Sequence, residues 1–204
     1  TRRKIANSAA VPVSEKSDGE LNKRLLRYYS EMLAILRRVL DIERDRKIKA
    51  ELRDEIGDVL HRMGNLYATF GQYSEAMDCF SEVLQNQRKT NDDELRIADL
   101  LFNMGNIYLE QSLPEKSLDC LRESYDITNE ALGEDNKELH STMYLMGVAM
   151  SNLADYGSAL KWLTQALKVL GESNGDENVI DEAARGKTLH QTGTVYEKTG
   201  DQAR

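Results

Sequence analysis

One stretch of this chain returns, and its return limits the folds available more than any other feature. LHRMGNLYATFGQYSEAMDCF (residues 60–80) aligns without a gap on LFNMGNIYLEQSLPEKSLDCL (101–121), sharing MGN, Tyr67 with Tyr108, and Asp78-Cys79 with Asp119-Cys120. A third copy, MYLMGVAMSNLADYGSALKWL, occupies 143–163, and a fourth opens as LHQTGTVYEKTGDQAR at 189–204. The aligned glycines, Gly64, Gly105, Gly147 and Gly193, are spaced by 41, 42 and 46 residues. A period of this size marks supersecondary units that bury their apolar faces on one another, here helical hairpins in a stack. A glycine in mid-helix costs about 1 kcal/mol relative to alanine. Four of them at one register position argue for a packing need, a second helix approaching too closely to admit a Cβ.

The pattern resembles the tetratricopeptide repeat (TPR) family, which pairs a large apolar residue with Gly or Ala four places on, an aromatic three later, then Ala and a bulky residue on the second helix. Leu60, Gly64, Tyr67, Ala76 and Phe80 supply all five. The second copy has Leu101, Gly105, Tyr108, Ser117 and Leu121, and the third Met143, Gly147, Met150, Ala159 and Leu163. The small residue becomes Ser in the second copy, and the aromatic is lost in the third. The period exceeds the roughly 34 residues of the common repeat. The segment ALGEDNKELHSTMYLMG (131–147) is similar to the connector of the kinesin-light-chain type of repeat. The resemblance implies an all-α fold, a right-handed α-solenoid of stacked antiparallel helical hairpins.

Around this array the chain divides into three parts. Residues 1–19 read as a flexible N-terminal arm and residues 20–55 as a helical cap or degenerate repeat. Residues 56–204 hold about three full repeats and the first helix of a fourth. Within the cap, YSEMLAILRRVL (29–40) aligns with YSEAMDCFSEVL (73–84). Leu21, Leu25, Tyr28, Met32, Ile35 and Val39 form a stripe expected to pack the cap on the first repeat; it is short for a coiled coil. Gly200-Asp201-Gln202-Ala203 corresponds to Gly71-Gln72-Tyr73-Ser74, so a turn is expected at Gly200, with the natural protein continuing beyond Arg204. Acidic connectors carry capping-box spacing at Asn91/Glu94, Asp135/Glu138 and Asn174/Glu177, and Ser112/Glu115 repeats it with Pro114 in the first turn. They are expected to start helices rather than hold metal.

Charge and side-chain chemistry narrow the function. Residues 1–50 carry 13 Lys/Arg against 7 Asp/Glu (+6), and the remainder 14 against 28 (−14). An acidic surface of this extent does not fit a nucleic-acid binder. No run reaches the roughly 18 apolar residues of a membrane span. Cys79 and Cys120 lack the spacing of a zinc site or disulfide scaffold, so a reducing, cytoplasmic setting is expected, with an organellar one after loss of a leader as the alternative. His61, His140 and His190 are scattered, and no phosphate loop or metalloprotease motif occurs. The expectation is a non-enzymatic chain with no cofactor and no metal. Met63, Met104, Met146 and Trp162 are read as core.

The TPR resemblance implies a partner protein or peptide lying on the concave face lined by the first helices. Carried onto this sequence, the groove residues are Arg62, Asn65, Phe102, Asn103, Asn106, Tyr144, Leu145 and Val148, within a wider lining of Asp58, His61 and Thr69, Asp99 and Glu110, Ser141 and Asn152, and Lys187, His190, Gln191 and Thr194. The asparagines would bond a partner backbone, and the apolar residues would anchor a side chain. Co-chaperone TPR domains clasp acidic C-termini with a clamp of Lys, Asn, Asn, Lys and Arg. Asn65 and Asn103 occupy its two asparagine places, but His61, Ser141 and Leu145 stand where the bases are needed, which disfavours that ligand. The expected role is a protein-interaction adaptor or scaffold. The alternatives are a structural subunit of a large assembly or a regulatory module of a longer enzyme.

Overall fold

The computed structural model describes residues 13–90, 94–171 and 179–202. Every regular element among them is an α-helix: α1 (Val13–Ile42), α2 (Arg46–Thr69), α3 (Tyr73–Thr90), α4 (Glu94–Glu110), α5 (Pro114–Leu132), α6 (Leu139–Asn152), α7 (Tyr156–Val169) and α8 (Val179–Gln202). The chain forms two units, Thr1–Cys79 and Phe80–Arg204, divided inside α3.

In the second unit, α4 packs on α5, α5 on α6, α6 on α7 and α7 on α8, while α6 also touches both α4 and α8. The repeat signature sits at these contacts. Leu121, Leu163, Ala159, Met143 and Ser117 are fully buried, with Leu101 and Met146 nearly so. A Cβ built on Gly105 would lie 2.8 Å from Cγ of Leu121 and 3.3 Å from the Ser117 carbonyl oxygen. On Gly147 it would lie 2.7 Å from Cγ of Leu163. The close approach expected from the sequence is therefore present in these two hairpins, where interhelix contact offsets the lost helix propensity. Gly193 differs: nothing lies within 4 Å of its Cβ position. The role expected for it fails because no helix follows α8 among the described residues. Gly64 is buried on α2.

The helix-to-helix turns share one backbone device. Residues Gly71, Ser112 and Ala154, equivalent in the repeats, have φ of +68°, +59° and +60°. The amide after each one donates to the carbonyl five residues back: Gln72 to Tyr67 (2.9 Å), Leu113 to Tyr108 (2.8 Å) and Asp155 to Met150 (3.0 Å). The left-handed residue itself donates three back, which completes a Schellman motif. Helix starts are less uniform. Asp45 caps α2 by accepting from Lys47 N and Ile48 N, and Asp155 caps α7 by accepting from Ser158 N. The capping boxes expected at Asp135/Glu138 and Ser112/Glu115 do not form. Asn136 Oδ1 takes the Glu138 amide at 2.8 Å, Asp135 pairs with Lys168, and α5 starts at Pro114 after an uncapped Leu113. Asn91 and Asn174 lie outside the described residues. The turn expected at Gly200 is replaced by continued helix to Gln202.

In the first unit, α1 packs on α2. α1 begins at Val13, inside the stretch read as an arm, and residues 1–12 lie outside the described residues. α2 begins at Arg46 and runs through residue 55, where the cap was expected to end. Leu33 and Leu36 are the buried residues of α1, flanked by half-buried Leu26, Tyr29 and Leu40. That face turns inward; of the stripe expected to pack the cap, Leu25 and Val39 are half-buried beside it, and Leu21, Tyr28, Met32 and Ile35 stay exposed. α1 offers two apolar faces, and the fold uses the leucine-rich one.

Candidate functional site

Three helices of the second unit enclose an open cavity of about 430 Å³. α4 contributes Phe102 and Asn106, α6 contributes His140, Ser141, Tyr144 and Leu145, and α8 contributes Ala183, Ala184 and Lys187. The residues come together because α4 and α6 each turn their Gly face into their own hairpin. Their opposite edge is left toward the next repeat: Phe102, Tyr144 and Leu145 are half-buried against the core formed by Leu118, Leu121, Met146 and their neighbours. A smaller cavity of about 280 Å³ adjoins it, sharing Phe102 and Ser141 and extending to Asp99, Ser124, Thr128 and Glu138.

His140 anchors the wall. It is buried, its ring lies nearly parallel to Tyr144 (centroids 6.4 Å apart, 16° between planes), and its Nε2 is 2.9 Å from Thr188 Oγ1. The Thr188 hydroxyl can also donate to the Ala184 carbonyl at 2.9 Å. When the hydroxyl proton goes to Ala184, the imidazole is the donor through Nε2–H; in the other tautomer Nε2 accepts from the Thr188 hydroxyl. Burial holds His140 below its ordinary 6.5, and the Asp181 carboxylate offsets part of this. The ring is thus a neutral strut between α6 and α8. Asp181 also bonds Lys137 at 2.9 Å, a second tie between the start of α8 and the connector before α6. Among the described residues, Lys187 is the one charged side chain lining the cavity.

Of the groove residues expected from sequence, Phe102, Asn106, Tyr144 and Leu145 line this cavity, together with Ser141 and Lys187. Asn103 and Val148 lie half-buried on α4 and α6, outside the lining. Arg62 and Asn65 are exposed on α2 in the other unit. His140, Ala183 and Ala184 were missed. The signal for His140 was its place one turn before Tyr144 on the same helix edge, which a scattered-histidine reading passes over.

Elsewhere the polar chemistry is quiet. Cys79 and Cys120 form no disulfide, and burial, with Glu123 and Asp119 adding to it, pushes Cys120 up to about 11. A thiol held protonated in this way is a packing group. Met63, Met104 and Met146 are buried as expected, and Trp162 stacks edge-on against Tyr125 at 5.1 Å. Among the described residues no three His, Cys, Asp or Glu side chains converge as a metal site. Among them, too, no helix is long and apolar enough to cross a membrane.

The tetratricopeptide repeat family model matches residues 55–127 and 96–172. No curated protein matches the chain. Among solved structures, BtubC (BKLC) from P. vanneervenii superposes with a TM-score of 0.64 at 18% identity, covering 92% of this chain and 82% of that one. A putative kinesin light chain with nearly identical TPR-like repeats from Podosopora anserina gives 0.60 at 16% identity, over 95% and 90%. The Sgt2 TPR domain from Aspergillus fumigatus gives 0.51 at 18% identity, over 72% and 83%. At such identities the likeness is one of fold.

Proposed function

Since the chain belongs to the tetratricopeptide repeat family, a family of protein-interaction modules, we propose that it works as a non-enzymatic adaptor that holds a peptide segment of a partner protein in the α4–α6–α8 cavity. The observation that supports this most is the composition of that wall on three helices of successive repeats. Phe102, Tyr144 and Leu145 offer an apolar seat, Asn106 an amide able to pair with a peptide backbone, and Lys187 a single cation. Such a wall suits an extended segment presenting one large apolar side chain with a carboxylate beside it. Binding is favoured over chemistry because His140 is committed to Thr188 and Tyr144, and the carboxylate that acts on it, Asp181, is itself paired with Lys137. The unbridged thiols fit a cytoplasmic setting.

Peptide-array selection on the purified chain, followed by calorimetric titration of the best peptides, tests the reading. Phe102→Ala and Tyr144→Ala should each weaken binding about tenfold or more, the scale of a central anchor. Lys187→Glu should lower the preference for acidic peptides while circular dichroism stays unchanged. Undiminished affinity in both alanine variants would rule the cavity out as the seat.

A further inference from the structure

α1 keeps an apolar seam in solvent. Leu21, Tyr28, Ile35 and Ile42 recur at every seventh residue and are 56%, 57%, 60% and 78% exposed. Exposed Met32 and half-buried Leu25 and Val39 fall four residues after the first three, so the seam steps by four and three along the helix. This is the spacing that seats side chains of one helix between those of another. Scattered exposed leucines are ordinary, but a continuous stripe along one helix is not. On one flank of the seam stand Tyr29 and the buried Leu36, on the side turned inward. On the other stand the exposed Arg24, Glu31 and Arg38.

We propose that a second copy of this chain covers the seam, the two α1 helices running antiparallel. Setting Met32 opposite Ile35 of the second copy places Tyr28 opposite Val39 and Leu25 opposite Ile42, so every residue from Leu25 to Ile42 in the seam finds an apolar counterpart. Glu31 precedes Met32 by one residue and Arg38 follows Ile35 by three, which brings Glu31 beside Arg38 of the second copy and Arg38 beside its Glu31. On the inner flank half-buried Tyr29 and buried Leu36 stay packed within their own copy. The register is therefore set on the open side, where charge faces opposite charge. A parallel in-register pairing would instead set Glu31 against the buried Leu36 and Arg24 against Tyr29. The antiparallel contact is isologous, the same patch serving both copies, and joins two α1–α2 hairpins as a four-helix bundle. It lies in the first unit and does not depend on the cavity of the second.

Sedimentation equilibrium on the full chain from about 1 to 100 µM reads the association directly. The expected species has twice the 23.2 kDa chain mass. Ile35→Glu, at an exposed position, should give a monomer with unchanged circular dichroism. Glu31→Arg should weaken the dimer several-fold, and adding Arg38→Glu should restore it, an outcome that nonspecific apolar association would not produce. A monomer at every concentration, a dimer indifferent to Ile35→Glu, or a double variant no tighter than the single one would overturn the proposal.

Discussion

Ser112 and Ala154 carry a cost that Gly71 avoids. All three adopt the left-handed backbone that closes the repeat hairpin, and a residue with a Cβ pays about 1–2 kcal/mol to be there. The Schellman hydrogen bonds hold all three regardless. Ser112→Gly and Ala154→Gly should each raise stability by about 1 kcal/mol, read as a higher urea midpoint at unchanged m-value; a fall in midpoint would count against the strain. The repeat glycines sort in the opposite way. Gly105→Ala gains up to about 1 kcal/mol of helix propensity but drives a methyl to 2.8 Å from a fully buried Leu121. Overpacking of that kind costs about 1–3 kcal/mol, so the net effect should be destabilising. Gly193→Ala meets open space and should stabilise by somewhat less than 1 kcal/mol. Thermal melts of the two variants should move in opposite directions.

At the level of elements, α8 is tied to the rest by side chains that respond to pH. The His140–Thr188 bond joins α6 to α8, and burial holds the folded-state value of His140 below 6.5. The unfolded chain therefore binds more protons in the window beneath 6.5. The stability contributed by neutral His140 is complete above that pH and is lost as pH falls through the folded value. Urea midpoints measured at pH 7.5 and 5.5 should show this loss, and His140→Gln should flatten the difference; an equal drop in the variant would place the effect elsewhere. The helices and the glycine contacts were legible in the sequence because the repeat writes one packing solution several times. Phe102, Asn106, Tyr144 and Leu145 were legible for the same reason. What escaped depended on contacts between repeats, as with His140 against Thr188, or on local competition. Asn136 outcompetes Asp135 for the Glu138 amide, and Asp135 is drawn to Lys168 instead. On α1 the sequence offered two apolar faces, and periodicity alone could not choose between them.

For the molecule as a whole, stacking makes stability a sum over neighbours, so protection from exchange should follow how much of each helix those neighbours bury. Within the second unit, α5 lies against both α4 and α6, and α6 touches α4, α5, α7 and α8. Among the described residues α8 rests on α7 and α6, with Leu189 and Tyr196 exposed and Thr188 and Val195 buried, against Ser117, Leu118, Leu121, Ser124 and Thr128 buried on α5. Its further ties are polar and partly exposed: the Lys137–Asp181 pair, Lys198 to Ser151, and Arg185 to the Gly171 carbonyl. Hydrogen exchange should therefore be slowest in α5 and α6 and fastest in α8, whose local opening needs the fewest contacts broken. Uniform protection from α4 to α8 would mean a single cooperative block and defeat this ordering. The gradient also bears on binding. The cavity takes Ala183, Ala184 and Lys187 from the least protected helix, so a bound peptide must stabilise α8 to remain seated. Peptide addition should slow exchange at residues 181–190 far more than in α5, coupling occupancy of the cavity to order in α8.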